Sequence, residues 1–141
     1  MVTRTGSARY EGLGKDGKGY VSTQSGVLND TQYGFNTRFE DGAGTNPEEL
    51  IAAAHASCFT MALSFALAGA GHDSGTLETS ARVTLDKDGD GFTITRSQLT
   101  LKGHVDGIEP AEFERIANEA KAGCPVSKVL NADITLDVTF G

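Results

Sequence analysis

Tryptophan is absent from this chain of 141 residues, cysteine and methionine occur twice each, and proline occurs three times. Basic side chains are also scarce, with 12 Lys and Arg against 19 Asp and Glu, a formal charge of −7. An acidic chain without a block of clustered Lys or Arg repels phosphate backbones and anionic lipid, which argues against nucleic acid and membrane surfaces as partners. Met1 to Gly12 is polar and lacks the apolar core of a secretory signal, so the expected compartment is the cytoplasm. The stretch 50–70 is apolar enough to raise a membrane reading, but it is rich in alanine and carries His55, Ser57, Thr60 and Ser64, as a core helix does.

Two cysteines are too few for a disulfide scaffold, and a chain of this length needs none, because it buries roughly two-thirds of its unfolded surface. In a reducing compartment Cys58 and Cys124 are then either inert buried thiols or chemical ones. No repeat, low-complexity run or linker divides the sequence, and it reads as a single domain over residues 1–141.

Strand chemistry comes first. Asp16-Gly17 stands between short strand-like runs in Ala8 to Thr23, the signal of a tight hairpin. Thr79 to Asp86 and Phe92 to Leu101 form a second strand pair around a turn at Asp88-Gly89. Ile134, Leu136, Val138 and Phe140 alternate with polar residues, as in a strand with one buried face. Pro47, Pro110 and Pro125 each stand where a helix can begin, since the missing N–H costs nothing in a first turn. Asn46 can cap the first helix, with Glu49 reaching back in a capping box, which leaves Glu48 unused. The second runs from Pro110 to about Ala122, with Phe113, Ile116, Ala117 and Ala120 on one face and Gly123 as its stop. The first carries apolar residues on more than one side: Ile51, Phe59, Leu63 and Leu67 on one, Leu50, Met61, Phe65 and Ala68 on another. A second subunit could cover the side of so long a helix that one sheet and one short helix leave open, so a homodimer packed around it is expected.

Three motifs carry less than they suggest. Gly12-Leu-Gly14-Lys-Asp-Gly17 fits a dinucleotide fingerprint, but a strand follows where a helix is required. Asp86-Lys-Asp88-Gly-Asp90-Gly91 starts like a calcium loop, yet the twelfth position is Ser97 and the flanks are strand-like. His55 and Cys58 have a spacing compatible with two metal ligands, but nothing ties a further ligand to them, and a hydrogen-bonded core histidine is the stronger reading. No metal or cofactor is expected.

An unperturbed thiol with a pKa near 8.5 is only about 3% ionised at pH 7, so a reactive cysteine needs help. Cys124 precedes Pro125 at a helix start, where unpaired N–H groups favour an anion. Cys58, three turns inside a continuous helix, gains nothing comparable. Local physics therefore makes Cys124 the more acidic thiol, an order that an Arg from elsewhere or a helix break near Ser57 would reverse.

The strings Ser25-Gly-Val-Leu, Tyr33-Gly-Phe-Asn-Thr-Arg-Phe-Glu40, Thr45-Asn-Pro-Glu-Glu-Leu-Ile-Ala-Ala-Ala-His-Ala-Ser-Cys-Phe59 and Lys121-Ala-Gly-Cys-Pro-Val-Ser127 closely resemble the OsmC subgroup of the OsmC/Ohr family, in order and over nearly the whole chain. The resemblance implies an α+β fold, with antiparallel β-sheets around a long buried central helix, assembled as an intertwined homodimer. It implies a cysteine-based peroxidase that reduces organic hydroperoxides, a stress-defence activity. By the same resemblance Cys58 is the attacking cysteine, Cys124 the resolving cysteine, Arg38 the cation that stabilises the thiolate and Glu48 the carboxylate that holds Arg38. A dithiol, such as that of a lipoylated protein, would restore the pair.

That assignment raises a question of reach. Glu48 and Cys58 are ten residues apart, about 15 Å along a straight helix, too far for one hydrogen-bonded site. Either the helix breaks or Glu48 acts on the other subunit's cysteine, and the second is expected. Phe35, Phe39 and Phe59 suit an apolar substrate pocket and plain core equally. The rival readings are a redox sensor using the same two cysteines and a metal-binding protein using His55 and Cys58.

Overall fold

A computed structural model describes residues 1–141 as two compact units, Met1–Leu50 and Ile51–Gly141. In the first, β1 (Gly6–Glu11) and β2 (Lys18–Thr23) pair antiparallel, with Glu11 opposite Lys18, and β3 (Thr31–Tyr33) joins the other edge of β2. The hairpin expected at Asp16-Gly17 is present but wider than a two-residue turn: Gly14–Asp16 forms a 3-10 turn inside the loop. The Gly12-to-Gly17 motif belongs to this loop, with strands on both sides and no helix to receive a phosphate. The short helix α1 (Phe35–Phe39) follows, its first turn held by the Gly34 N–H donating to Thr37 Oγ1 at 2.7 Å. Gly44 then bends the chain with φ 127°, and a Cβ there would lie 2.2 Å from the carbonyl oxygen of Gln32. Only glycine fits that approach, which delivers the chain to the start of α2 (Pro47–Gly69).

The second unit holds most of α2 and a sheet in the order β4-β5-β6. β4 (Gly75–Asp88) and β5 (Gly91–Val105) form a long antiparallel hairpin, extending the strands read at Thr79–Asp86 and Phe92–Leu101. Gly89 supplies the turn with φ 60°, and Asp88 accepts from Thr93 while Asp86 accepts from Thr95. Two of the three carboxylates of the calcium-like motif are thus occupied within the hairpin. β6 (Asp133–Phe140) pairs parallel to β5, so the sheet is mixed and not wholly antiparallel as expected. The cause lies in the connection: α3 (Pro110–Gly123) and α4 (Pro125–Val129) carry the chain back before β6 begins, and a crossover of that kind yields parallel neighbours.

Phe59, Leu63 and Leu67 of α2, Phe113, Ile116 and Ala117 of α3, and Leu99 and Leu101 of β5 make the core. The rings of Phe113 and Phe140 pack with centroids 4.8 Å apart. Helix α3 does not stop on a left-handed Gly123. Its boundary is Cys124, held at φ −62° and ψ 125°, because a residue preceding proline is pushed out of the helical region.

Helix α2 is not buried all round within the chain. Its Phe59 side is sealed, whereas Met61 is 62% and Phe65 72% exposed on another side. It is long and apolar enough to cross a membrane by length and composition, at a mean hydropathy of 1.7.

Candidate active site

The two cysteines reach the same place by different routes. Cys58 sits in the middle of α2, half-buried, and Cys124 occupies the joint between α3 and α4, wholly buried. Neither is in a disulfide, and the two thiols face each other closely enough for each to set the other's protonation. Burial pushes the Cys58 thiol up, and the thiol of Cys124 adds to the rise against a lowering contact from the Val126 N–H. Burial also pushes Cys124 up, but the Ser127 N–H, the Cys58 thiol, the Ser127 hydroxyl and the Val126 N–H together bring it below its ordinary value. Within one chain Cys124 is therefore held the more acidic of the two thiols and Cys58 the less acidic. That agrees with the order read from the sequence, and its cause is the same: N–H groups at the start of α4 aim at the sulfur of Cys124.

The Arg38 and Glu48 pair is built in the first unit. The Arg38 Nε donates to Glu48 Oε1 at 2.7 Å and its Nη2 donates to Oε2 at 3.0 Å, a bidentate fork. Glu48 is mostly buried while Arg38 keeps about a third of its side chain accessible, so the carboxylate anchors and the guanidinium presents. The cap of α2 forms as read, with the Glu49 N–H donating to Asn46 Oδ1 at 2.8 Å. The return half of the capping box does not: Glu49 Oε2 accepts from Thr45 Oγ1 at 2.7 Å. Glu48 is left to Arg38 in either arrangement.

Around this pair, Tyr10, Tyr33, Phe35, Arg38, Phe39 and Pro47 line a cavity of about 340 Å³. The three phenylalanines divide accordingly. Phe35 and Phe39 line the cavity with ring centroids 5.1 Å apart, and Phe59 is sealed core.

His55, one turn before Cys58, is fully buried, with Nδ1 at 2.6 Å from Ser97 Oγ and Nε2 at 2.8 Å from Ser127 Oγ. Both ring nitrogens are thereby engaged, as the hydrogen-bonded reading of His55 expected. No group of three metal-ligating side chains gathers around His55 and Cys58.

Residues 40–139 match the family described as OsmC-like protein. The chain belongs to that family. It is 56% identical over 136 residues to Peroxiredoxin OsmC of Escherichia coli strain K12, covering 96% of this chain and 95% of that protein. Over 98 residues it is 36% identical to the organic hydroperoxide resistance protein OhrA of Bacillus subtilis strain 168, covering 67% of each. Its fold is similar to the crystal structure of the organic hydroperoxide resistance protein OhrB of Bacillus subtilis, with a TM-score of 0.73, 29% identity and 98% of each chain covered. In an OsmC-like fold, two free thiols brought face to face constitute a redox pair able to cycle between dithiol and disulfide.

Ser97 and Ser127 were not singled out as functional from the sequence. Ser127 lay inside a recognised string, three residues past Cys124, a spacing that brings a side chain back over the preceding turn. Ser97 carried no signal, because its partner is 42 residues away and only the fold joins them.

Burial holds the His55 pKa below its ordinary 6.5. As pH falls the unfolded chain therefore takes up this proton first, so the stability tied to neutral His55 is intact above about pH 6.5 and declines below it. The urea midpoint should drop between about pH 7.5 and about pH 5.5 by more in the native protein than in His55→Gln, and equal drops would remove His55 as the cause.

Proposed function

We propose that this OsmC-like chain is a thiol peroxidase that reduces organic hydroperoxides to alcohols. The facing pair of Cys58 and Cys124 carries the reading. The Cys58 thiolate attacks the terminal oxygen of the hydroperoxide, the O–O bond breaks, an alkoxide leaves and takes a proton, and Cys58 becomes a sulfenic acid. Cys124 then closes the Cys58–Cys124 disulfide with loss of water, before further oxidation can ruin the sulfur. A dithiol reductant, such as the lipoyl group of a lipoylated protein, reopens it.

Arg38 favours both the thiolate and the negative charge developing on the peroxide oxygens, and Glu48 fixes the guanidinium so that no reorganisation is needed. The apolar cavity beside Arg38 supports an organic substrate over hydrogen peroxide, because aromatic rings and a cation line it together. Helix α2 is unbroken between Glu48 and Cys58, which supports the reading that the Arg38 and Glu48 pair of one subunit serves the Cys58 of the other. The exposed Met61 and Phe65 supply the surface for that homodimer, and a groove of about 590 Å³ along Ser57, Met61 and Ser64 runs beside them. In such a dimer both units of each chain act as one domain, and the outer face of α2 meets protein instead of a bilayer. The expected setting is cytoplasmic, with no nucleic acid, metal or cofactor involved.

Steady-state turnover with tert-butyl hydroperoxide and dithiothreitol should exceed that with hydrogen peroxide by at least about tenfold at equal concentration, since the apolar group adds binding that hydrogen peroxide lacks. A single stoichiometric oxidation without turnover would instead indicate a redox sensor.

A further inference from the structure

The peroxidase reading gives Cys124 its task but leaves a buried hydrogen-bonded chain beside it without one. Ser97 Oγ, the two nitrogens of His55 and Ser127 Oγ form an unbroken sequence with contacts of 2.6 Å and 2.8 Å, and Ser97 and His55 are wholly inaccessible. A lone core histidine needs one partner on each nitrogen. This one ends on a hydroxyl that also meets the sulfur of Cys124.

We propose that Ser127 and His55 are the positioning residues of the resolving step, with the Ser97–His55–Ser127 chain aiming the Ser127 hydroxyl at the sulfur of Cys124 and holding that sulfur as an anion. The assignment of protons follows from the inventory of donors. A thiolate can only accept, so the Ser127 O–H points to sulfur. Ser127 Oγ is then free to accept from His55, which must carry its proton on Nε2. Nδ1 is left as an acceptor, and Ser97 donates to it. Each proton in the chain has one place, and burial, which disfavours the charged ring, keeps His55 neutral as this pattern requires.

The step so assisted is balanced. The Cys124 thiolate attacks the sulfur of the Cys58 sulfenic acid, an S–S bond forms, the S–O bond breaks, and the leaving hydroxide takes one proton from solvent to become water. Cys124 is oxidised and the sulfenic sulfur is reduced. Before attack the chain serves a second end, because a hydrogen bond that fixes the sulfur also fixes its line of approach.

The magnitude follows from two opposed effects. A hydrogen bond to an ionised group is worth about one to two pKa units, so its loss cuts the thiolate fraction by about ten- to a hundredfold. Nucleophilicity rises as pKa rises, with a Brønsted coefficient of about one half, and returns about the square root of that loss. Disulfide closure should therefore slow by about three- to tenfold in Ser127→Ala.

The inference rests on the peroxidase reading, and the test separates them. Reduced protein is mixed with one equivalent of tert-butyl hydroperoxide, the Cys58 sulfenate is trapped to time the first step, and the Cys58–Cys124 disulfide is quantified to time the second. Ser127→Ala should form sulfenate at least as fast as the native protein, close the disulfide about three- to tenfold more slowly and so accumulate the Cys58 sulfenate, with Ser127→Thr restoring closure. Closure at the native rate in Ser127→Ala overturns the inference, while failure of the native protein to form any disulfide overturns the peroxidase reading instead. The second measurement leaves the serines untouched and so is immune to misfolding of the serine variant. In Cys58→Ser protein, ¹⁵N shifts of the His55 ring should show Nε2 protonated once ultraviolet absorbance reports Cys124 ionised. Nδ1 protonated in that state overturns the assignment.

Discussion

Cys58→Ser is expected to lose organic peroxide turnover by at least about a thousandfold, because a serine hydroxyl is neither ionised near neutrality nor able to accept the hydroperoxide oxygen as a stable sulfenate. Cys124→Ser should behave differently. It should consume one equivalent of tert-butyl hydroperoxide per chain at close to the native first-turnover rate and leave Cys58 as the sulfenic acid, with a second equivalent carrying it on to the sulfinic acid and ending the reaction. The contrast decides the point on which two physical arguments disagree. Within one chain the Ser127 and Val126 N–H groups favour the anion on Cys124 over one on Cys58. That ordering describes a resolving thiol waiting for its partner to be oxidised, but it gives Cys58 no means to attack first. On the proposed mechanism Arg38 is the missing cation, and its guanidinium is fixed by Glu48. If Cys124→Ser fails in the first turnover while Cys58→Ser completes one, the roles are exchanged and the electrostatics of the single chain govern the chemistry.

Much of this arrangement was legible in the sequence because it rests on local rules. Each proline marked a helix start, and the apolar spacing of Phe113, Ile116, Ala117 and Ala120 gave the buried face of α3. The acidity of Cys124 could also be read, since it depends on backbone donors within three residues of it. What escaped depends on contacts between distant segments. The parallel pairing of β6 is set by the path of the crossover, which no period-two pattern encodes. The partner of His55 on β5 is likewise supplied by packing. The hairpin at Asp16-Gly17 formed as read, but wider than a tight turn. Gly17 is there because the Tyr10 ring approaches where a Cβ would lie, at 2.4 Å, and a close approach leaves the same letter in the sequence as a tight turn. The pairing of Arg38 with Glu48 came from family likeness, and its geometric basis is that Asn46 and Thr45 satisfy the cap and so release Glu48.

Mixed dimers give the second large expected effect. Arg38→Met keeps the packing of the side chain but removes the fixed cation, and with it the stabilisation of thiolate and departing oxygen, so its homodimer should lose about a hundredfold or more in kcat/KM. The homodimer of Cys58→Ser is inactive for the reason already given. If Arg38 serves the cysteine of its own chain, a dimer of one Arg38→Met chain and one Cys58→Ser chain contains no complete site and should be as inactive as either parent. If Arg38 crosses to the partner, the same mixed dimer pairs the intact arginine of one chain with the intact cysteine of the other and regains one site of the native two. Ten residues of unbroken helix separate Glu48 from Cys58, a rise of about 15 Å, and a bidentate ion pair has no slack to cover it. Coexpression with two different affinity tags, followed by sequential purification, isolates the mixed dimer. Activity near half that of the native dimer is the expected result, and activity no higher than that of either parent homodimer would place the complete site within one chain.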